Sequence, residues 1–117
     1  MPNSQLKHAL SFDIEDWFHL VGIESVADPE QWDTFPSLVE EYTTWIVETL
    51  AEHETRATFF MLGWVADRYP GLAPMIASAG HEIACHSFWH TRVDQLTPEE
   101  FREETSRTKD LLEQQTG

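Results

Sequence analysis

The sequence predicts an α/β fold in which parallel strands alternate with helices, and three observations support that prediction. Three short apolar runs of strand length occur along the chain. Each run is followed by a segment with helical periodicity or helix-capping residues. Strands connected through helices pair in parallel, which makes the predicted sheet parallel. Since three parallel strands cannot close a barrel, we expect the 117 residues to be an incomplete part of a larger domain.

The strands are predicted from runs of apolar and β-prone residues. The first strand is predicted for Leu10–Ile14 and the third for Glu82–Cys85. The second is predicted for Arg56–Leu62, a continuous apolar run that is typical of a strand buried on both faces. Between the first strand and the first helix, the acidic and irregular segment 15–35 is predicted to be a loop with room for function.

The first helix is the strongest helical pattern in the chain. It is predicted to begin at Ser37, because Ser37–Glu40 carries the residues of a capping box. Apolar and aromatic residues then recur at helical spacing on one face. That face consists of Leu38, Tyr42, Trp45, Ile46 and Thr49.

Shorter helical segments are predicted after the second strand, and a longer helix after the third. A helical turn covers residues 63–69, and a short helix at Leu72–Ala79 ends at Gly80, which suits a left-handed cap. The last helix is predicted for Thr97–Gly117. It begins with a threonine N-cap, a proline at the first helical position and a glutamate at the third.

Composition excludes several classes of function. The hydrophobic content of 41% indicates a packed globule, but the formal net charge is -14 with only seven Lys and Arg residues. This charge argues against nucleic acid and anionic membrane surfaces as partners. No apolar run approaches the length of a membrane span, and Met1–Lys7 lacks the apolar core of a secretory signal. A single cysteine, Cys85, excludes an intrachain disulfide, so we expect a soluble cytoplasmic protein without membrane insertion.

Two groups of potential metal ligands follow the first and third predicted strands. Asp13, Glu15 and Asp16 lie at the end of the first strand, and His86 and His90 lie beyond the third. Each group alone is explained by loop solvation or packing, since six histidines often give one pair spaced by four. In parallel βα units, however, the loops after successive strands meet at one face. Their joint placement predicts a zinc-type site of two imidazoles and a carboxylate, with a position left for water.

Three segments carry a resemblance to a known family. Ser11–Trp17, Ala57–Gly63 and Gly80–His90 resemble, in this order, the first motifs of NodB-type polysaccharide deacetylases of carbohydrate esterase family four. The resemblance covers residues 9–117. Within the first motif, the residue sequence of Asp13–Phe18 is similar to that of the subgroup associated with bacterial exopolysaccharide loci.

The resemblance implies a metal-dependent hydrolase on a deformed (β/α) barrel that removes N-acetyl groups from a sugar polymer or oligomer. Residues 1–117 would then be the N-terminal part of one deacetylase domain, comprising its first three βα units. The family uses a divalent metal, and zinc is expected here. The family also supplies an arginine and a proton-donating histidine in later motifs, and neither motif lies within these 117 residues.

The resemblance also implies roles for individual residues. By position, Asp13 is the general base, and His86 and His90 are metal ligands. The acidic metal ligand remains open between Glu15 and Asp16, because an isoleucine occupies the place of the usual second aspartate. Strand alternation points Glu15 the same way as Asp13 and favours it slightly.

Two other functions remain open at this point, together with one expectation about the histidine segment. An allantoinase-like hydrolase of a cyclic amide would use a similar site. Alternatively, the chain is a truncated, non-catalytic metal-binding fragment that forms oligomers through its open sheet edge. In either case Ser87 is expected to orient the histidine segment by a hydrogen bond rather than to react.

Overall fold

The computed structural model describes residues 5–117, and within them the chain forms one parallel sheet with helices around it. Residues 1–4, the start of the segment in which we expect no secretory signal, lie outside the described residues. The strands are β1 (Ser11–Ile14), β2 (Thr58–Met61) and β3 (Glu82–Cys85). The helices are α1 (Val39–Glu52), α2 (Gly63–Arg68), α3 (Leu72–Ser78) and α4 (Pro98–Thr116).

The strands run parallel, as predicted. β2 lies between β1 and β3, and both pairs are parallel, which confirms the βα, βα, βα arrangement. In the described part of the chain, β1 and β3 each pair on one side only. Association of copies through such an edge stays a prediction. None of the described helices combines the length and the apolar character needed to cross a membrane.

Two of the predicted helix ends are confirmed in detail. Thr97 and Glu100 form a reciprocal capping box at the start of α4, with hydrogen bonds of 3.0 and 3.1 Å. Gly80 follows α3 with φ of +93°, the left-handed conformation that glycine adopts without steric cost. These local signals were sufficient because each depends on residues adjacent in sequence.

The start of α1 and the face it buries differ from the prediction. Leu38 is the N-cap residue of α1, and its side chain makes no capping hydrogen bond. The predicted capping box that begins at Ser37 is therefore wrong. Of the predicted face, Tyr42 and Trp45 are 54% and 62% exposed. The helix instead buries the neighbouring row, which lies about 100° further around its axis. That row consists of Val39, Thr43, Val47 and Leu50.

One face of the sheet carries the main core. Phe59 and Met61 of β2 are fully buried, whereas Thr58 and Phe60, which alternate with them, are only partly buried. The prediction that this strand is buried on both faces is therefore wrong within the described residues, because the helices pack on one face. The core also includes Ile14 of β1 and side chains from all four helices.

The long connection between β1 and α1 is compact rather than irregular. It contains three 3₁₀ helices, at Trp17–His19, Glu24–Val26 and Pro29–Thr34. Phe18, Val26 and Trp32 from these turns form a second buried cluster. We call this the loop cluster. Because its buried side chains pack together, the loop cluster gives the predicted loop after β1 a fixed shape.

A hydrogen bond to the buried His81 links the start of β2 to the start of β3, at the edge of the sheet opposite the carboxyl ends of the strands. Nδ1 of His81 accepts a hydrogen bond from the Ala57 amide at 3.1 Å. Burial lowers the pKa of His81 below its ordinary value, and the nearby Arg56 guanidinium lowers it further. Protonation would abolish the acceptor, so the folded chain holds this imidazole neutral.

This gives a stability that depends on pH. A histidine whose pKa is lowered by folding binds fewer protons when folded, so the free energy of unfolding should fall as pH drops through about 6.5. His81→Asn keeps an acceptor but cannot titrate, and it should reduce that pH dependence. Urea unfolding between about pH 7.5 and 5 measures the effect, with His53→Asn as the exposed control. An unchanged slope in His81→Asn would contradict the assignment.

Candidate metal centre

The carboxyl ends of β1 and β3 place two candidate ligands at one edge of the sheet. Ile14, Met61 and Cys85 are level in the parallel register, so the residues that follow them leave the sheet at the same height. Glu15 follows the first of these and His86 follows the last. The His86 amide still donates to the Met61 carbonyl at 2.9 Å, so sheet pairing fixes its backbone.

Glu15, His86 and His90 form a cluster whose potential ligand atoms lie within 4.8 Å of one another. Oε2 of Glu15 lies 3.1 Å from Nε2 of His90 and 3.8 Å from Nε2 of His86. All three residues are partly buried. We call these three residues the ligand cluster.

The turn that carries both histidines has an uncommon backbone. Ser87 has φ of +56° and His90 has φ of +61°, the left-handed region that costs a residue with a side chain roughly 1 kcal/mol or more. The Ser87 hydroxyl accepts a hydrogen bond from the His90 amide at 3.1 Å, which confirms its predicted orienting role. Contacts from outside the turn must therefore hold this conformation.

α2 supplies one set of those contacts. The Gly63 amide donates to the Ser87 carbonyl at 2.8 Å, and the Trp64 amide donates to the Phe88 carbonyl at 3.1 Å. Gly63 approaches the turn so closely that a Cβ atom there would collide with the Phe88 ring and lie 2.6 Å from the Thr108 hydroxyl. Glycine at the start of α2 thus allows the helix to reach the histidine turn.

α4 supplies a second set. A Glu104 carboxylate oxygen accepts from the Trp89 amide at 3.1 Å. The Arg107 guanidinium lies 3.7 Å from the centre of the Phe88 ring, within the range of a cation–π contact. No sequence motif marks these two residues, because they contact the turn only after the chain has folded back upon itself.

The hydrogen bond of His90 determines which ring nitrogen faces Glu15. Nδ1 of His90 lies 2.6 Å from the carbonyl oxygen of His19, and a carbonyl only accepts. Nδ1 therefore carries a proton, which leaves Nε2 as the ring nitrogen that faces Oε2 of Glu15, 3.1 Å away. Either a proton or a metal ion between these two atoms would join them.

A divalent cation fits these residues better than a proton. A proton on Nε2 of His90 would satisfy the contact with Glu15 alone, and Nε2 of His86 would remain buried without a partner. Two neutral imidazoles and one carboxylate are a common donor set for Zn²⁺ in sites that keep a further position open. The donor chemistry therefore suits Zn²⁺ or a similar ion.

Asp16 lies outside the ligand cluster, although it was an alternative to Glu15. Its side chain is 5% exposed and accepts hydrogen bonds at the amino end of α1. The donors are the amides of Trp17, Leu38 and Val39, at 3.1 to 3.3 Å, and the Ser37 hydroxyl. The carboxylate thus satisfies the free amides that α1 leaves at its start, in place of the predicted Ser37 cap.

Asp13 lies next to the ligand cluster but on its exposed side. It points to the open face of the sheet, and its side chain is 54% exposed. Oδ1 of Asp13 is 4.0 Å from Nδ1 of His86, the ring nitrogen that does not face Glu15. This position leaves the Asp13 carboxylate accessible to a small molecule while keeping it beside the cluster.

His19 is the residue of this region whose role the sequence did not reveal. Its ring is 2% exposed, and its Nδ1 accepts from the Asp16 amide at 2.7 Å. Burial lowers the pKa of His19 to about 4, with Asp16 acting in the opposite direction. The spacing of Asp16 and His19, three residues apart at a turn, was the signal that could have identified this pair.

The fold and the cluster define an α/β protein with a histidine–carboxylate site at the carboxyl edge of a parallel sheet. Comparison with known proteins gives the family. Residues 27–117 match the family model described as polysaccharide deacetylase, and the chain belongs to that family. The predicted resemblance to polysaccharide deacetylases is therefore confirmed.

Individual relatives agree with this assignment. The chain is 33% identical over 86 residues to a peptidoglycan-N-acetylglucosamine deacetylase of Bacillus cereus, covering 74% of this chain and 30% of the relative. It is 33% identical over 72 residues to a chitooligosaccharide deacetylase of Azorhizobium caulinodans, covering 62% of this chain and 34% of the relative.

A solved structure supports the same fold. The crystal structure of the Bc1960 peptidoglycan N-acetylglucosamine deacetylase superposes with a TM-score of 0.70 at 28% identity. The match covers 93% of this chain and 41% of that one. The matches to the two curated relatives above span 30% and 34% of their lengths, so the chain corresponds to about a third of each.

The two acidic candidates can be separated by substitution. Glu15→Gln should lower the affinity for Zn²⁺ by at least about tenfold, because it removes the only carboxylate of the ligand cluster. Asp16→Ala should instead lower the free energy of unfolding by about 1 kcal/mol, since it removes the cap of α1. Competition with a chromophoric chelator and urea unfolding measure the two effects.

The exposed Glu24→Gln, in the same connection, is the control for a general loss of charge. A larger loss of Zn²⁺ affinity in folded Asp16→Ala than in Glu15→Gln would assign the ligand to Asp16.

Proposed function

We propose that this chain provides the base and the metal-binding residues of a hydrolase that removes N-acetyl groups from a polysaccharide or oligosaccharide. Glu15, His86 and His90 would hold the metal, and Asp13 would be the base. The observation that carries the proposal is the convergence of three potential ligand atoms, from Glu15, His86 and His90, within 4.8 Å of one another. Membership of the polysaccharide deacetylase family supports the reaction.

The ligand cluster would hold a divalent metal, for which we propose zinc. When bound, such an ion supplies Lewis acidity towards the carbonyl of an acetamide group. The chain's own part is to hold three ligand atoms in place, with His86 fixed through β3 and His90 through its hydrogen bond to His19.

Asp13 would act on the attacking water. Its carboxylate is exposed beside His86 and has the hydrogen-bonding capacity to accept a proton from a water at the open face. In the balanced reaction the water oxygen bonds to the acetyl carbon and the C–N bond breaks, giving acetate and a free amine. Asp13 takes the proton that the water loses. The amine also needs a proton, which we assign to a histidine in a later motif of the family.

The relatives narrow the proposed substrate to N-acetylated sugars. One is named for peptidoglycan N-acetylglucosamine and one for chitooligosaccharide, and both names describe acetylated amino sugars. These names favour a sugar over the cyclic amide of an allantoinase-like hydrolase. The residue sequence of Asp13–Phe18 in the first motif favours a bacterial exopolysaccharide among the N-acetylated sugars.

An activity assay tests the base. The longest product that the gene encodes should release acetate from acetylated amino-sugar oligomers, and Asp13→Asn should lower kcat by at least about a hundredfold. The amide keeps the shape of the side chain but cannot accept the proton. Zn²⁺ affinity should change much less, because Asp13 lies outside the ligand cluster.

Asp33→Asn, the same substitution at another exposed aspartate, is the matched control. Full activity in Asp13→Asn would contradict the assignment of the base. Zn²⁺ binding without any acetate release in the unsubstituted protein would favour a non-catalytic metal-binding role.

A further inference from the structure

His19 links two members of the ligand cluster, Glu15 and His90, although it contributes no ligand atom itself. Its carbonyl oxygen accepts the proton on Nδ1 of His90 at 2.6 Å. Three residues earlier stands Asp16, which directly follows Glu15. The turn between Asp16 and His19 therefore lies between one proposed ligand and the hydrogen bond that orients another.

The ring of His19 fixes that turn. The Asp16 amide donates to Nδ1 of His19 at 2.7 Å, and the His19 amide donates to the Asp16 carbonyl at 3.1 Å. These two bonds close the turn from both sides. Since Asp16 is itself fixed as the cap of α1, the His19 carbonyl has little freedom to change direction.

Aromatic packing restrains the ring further. The ring centre of His19 lies 4.5 Å from those of Phe18 and Trp32 and 4.9 Å from that of Trp64. Its remaining nitrogen, Nε2, is buried and has no hydrogen-bond partner among residues 5–117. A buried polar atom without a partner destabilises the fold, so packing alone does not explain a histidine here. Nδ1 explains it, because an apolar ring would leave the Asp16 amide without its acceptor.

We propose that His19 is a positioning residue that selects the ring state of His90. By accepting from the Asp16 amide it aims its own carbonyl at Nδ1 of His90, which keeps the proton there and leaves Nε2 as the lone pair facing Glu15. The inference rests on the proposed metal site for its purpose, but the selection of the ring state is a property of the metal-free chain. A hydrogen bond to the distal nitrogen is a known way to orient an imidazole ligand.

The first test uses the unsubstituted, metal-free chain. Long-range ¹H–¹⁵N spectra at a pH well above the ordinary histidine pKa of about 6.5 distinguish the two neutral ring forms. His90 should carry its proton on Nδ1, whereas the exposed His53 serves as the reference for an unrestrained ring. A His90 protonated on Nε2 overturns the proposal, and this outcome needs no variant to fold.

The second test uses two variants with opposite properties. His19→Phe keeps an aromatic ring but removes the acceptor, and it should mix the ring forms of His90 and weaken Zn²⁺ binding by about 10- to 100-fold. His19→Asn restores an acceptor near the position of Nδ1 and should recover most of both properties. His53→Asn is the matched control and should leave both unchanged.

The outcomes separate this inference from the proposed function. A folded His19→Phe with an unchanged His90 ring form and unchanged Zn²⁺ affinity overturns the positioning role. Failure of the unsubstituted chain to bind Zn²⁺ would contradict the proposed metal site. The positioning role of His19 would still be decided by the ring form of His90 in the metal-free chain.

Discussion

Three potential metal-ligand atoms converge at the carboxyl edge of the sheet, and the surrounding structure holds them within 4.8 Å of one another. The level ends of β1 and β3 bring Glu15 and His86 to one height. The strained turn after β3 then returns His90 to the same place, supported by the amide groups of α2 and by side chains of α4. The fold thus places three potential ligand atoms side by side, and a cation bound between them would stabilise the folded chain.

The connection between β1 and α1 serves both stability and the site. The Asp16 carboxylate caps α1, whereas its backbone amide holds the ring of His19. The loop cluster of Phe18, Val26 and Trp32 packs beside this turn, in which Asp16 and His19 are buried. One short segment therefore links the start of a core helix to the orientation of His90, so the proposed site and the first helix share the same support.

The sequence predicted the three strands, the parallel sheet and the meeting of the two ligand groups, because these follow from apolar runs and from topology. It failed where a decision depended on tertiary contacts. The aromatic residues Tyr42 and Trp45 suggested the wrong buried face of α1, since hydrophobicity alone does not say which row meets the sheet. The choice between Glu15 and Asp16 and the function of His19 also required the structure, because each depends on contacts with residues 20 or more positions away.

Anomalous diffraction from crystals of the chain grown with Zn²⁺ tests the central claim most directly. We expect one strong peak bounded by Oε2 of Glu15 and by Nε2 of both His86 and His90. Nδ1 of His90 should keep its hydrogen bond to the His19 carbonyl. A zinc peak on the carboxylate of Asp16, or a fully occupied zinc elsewhere with the ligand cluster unchanged, would contradict it.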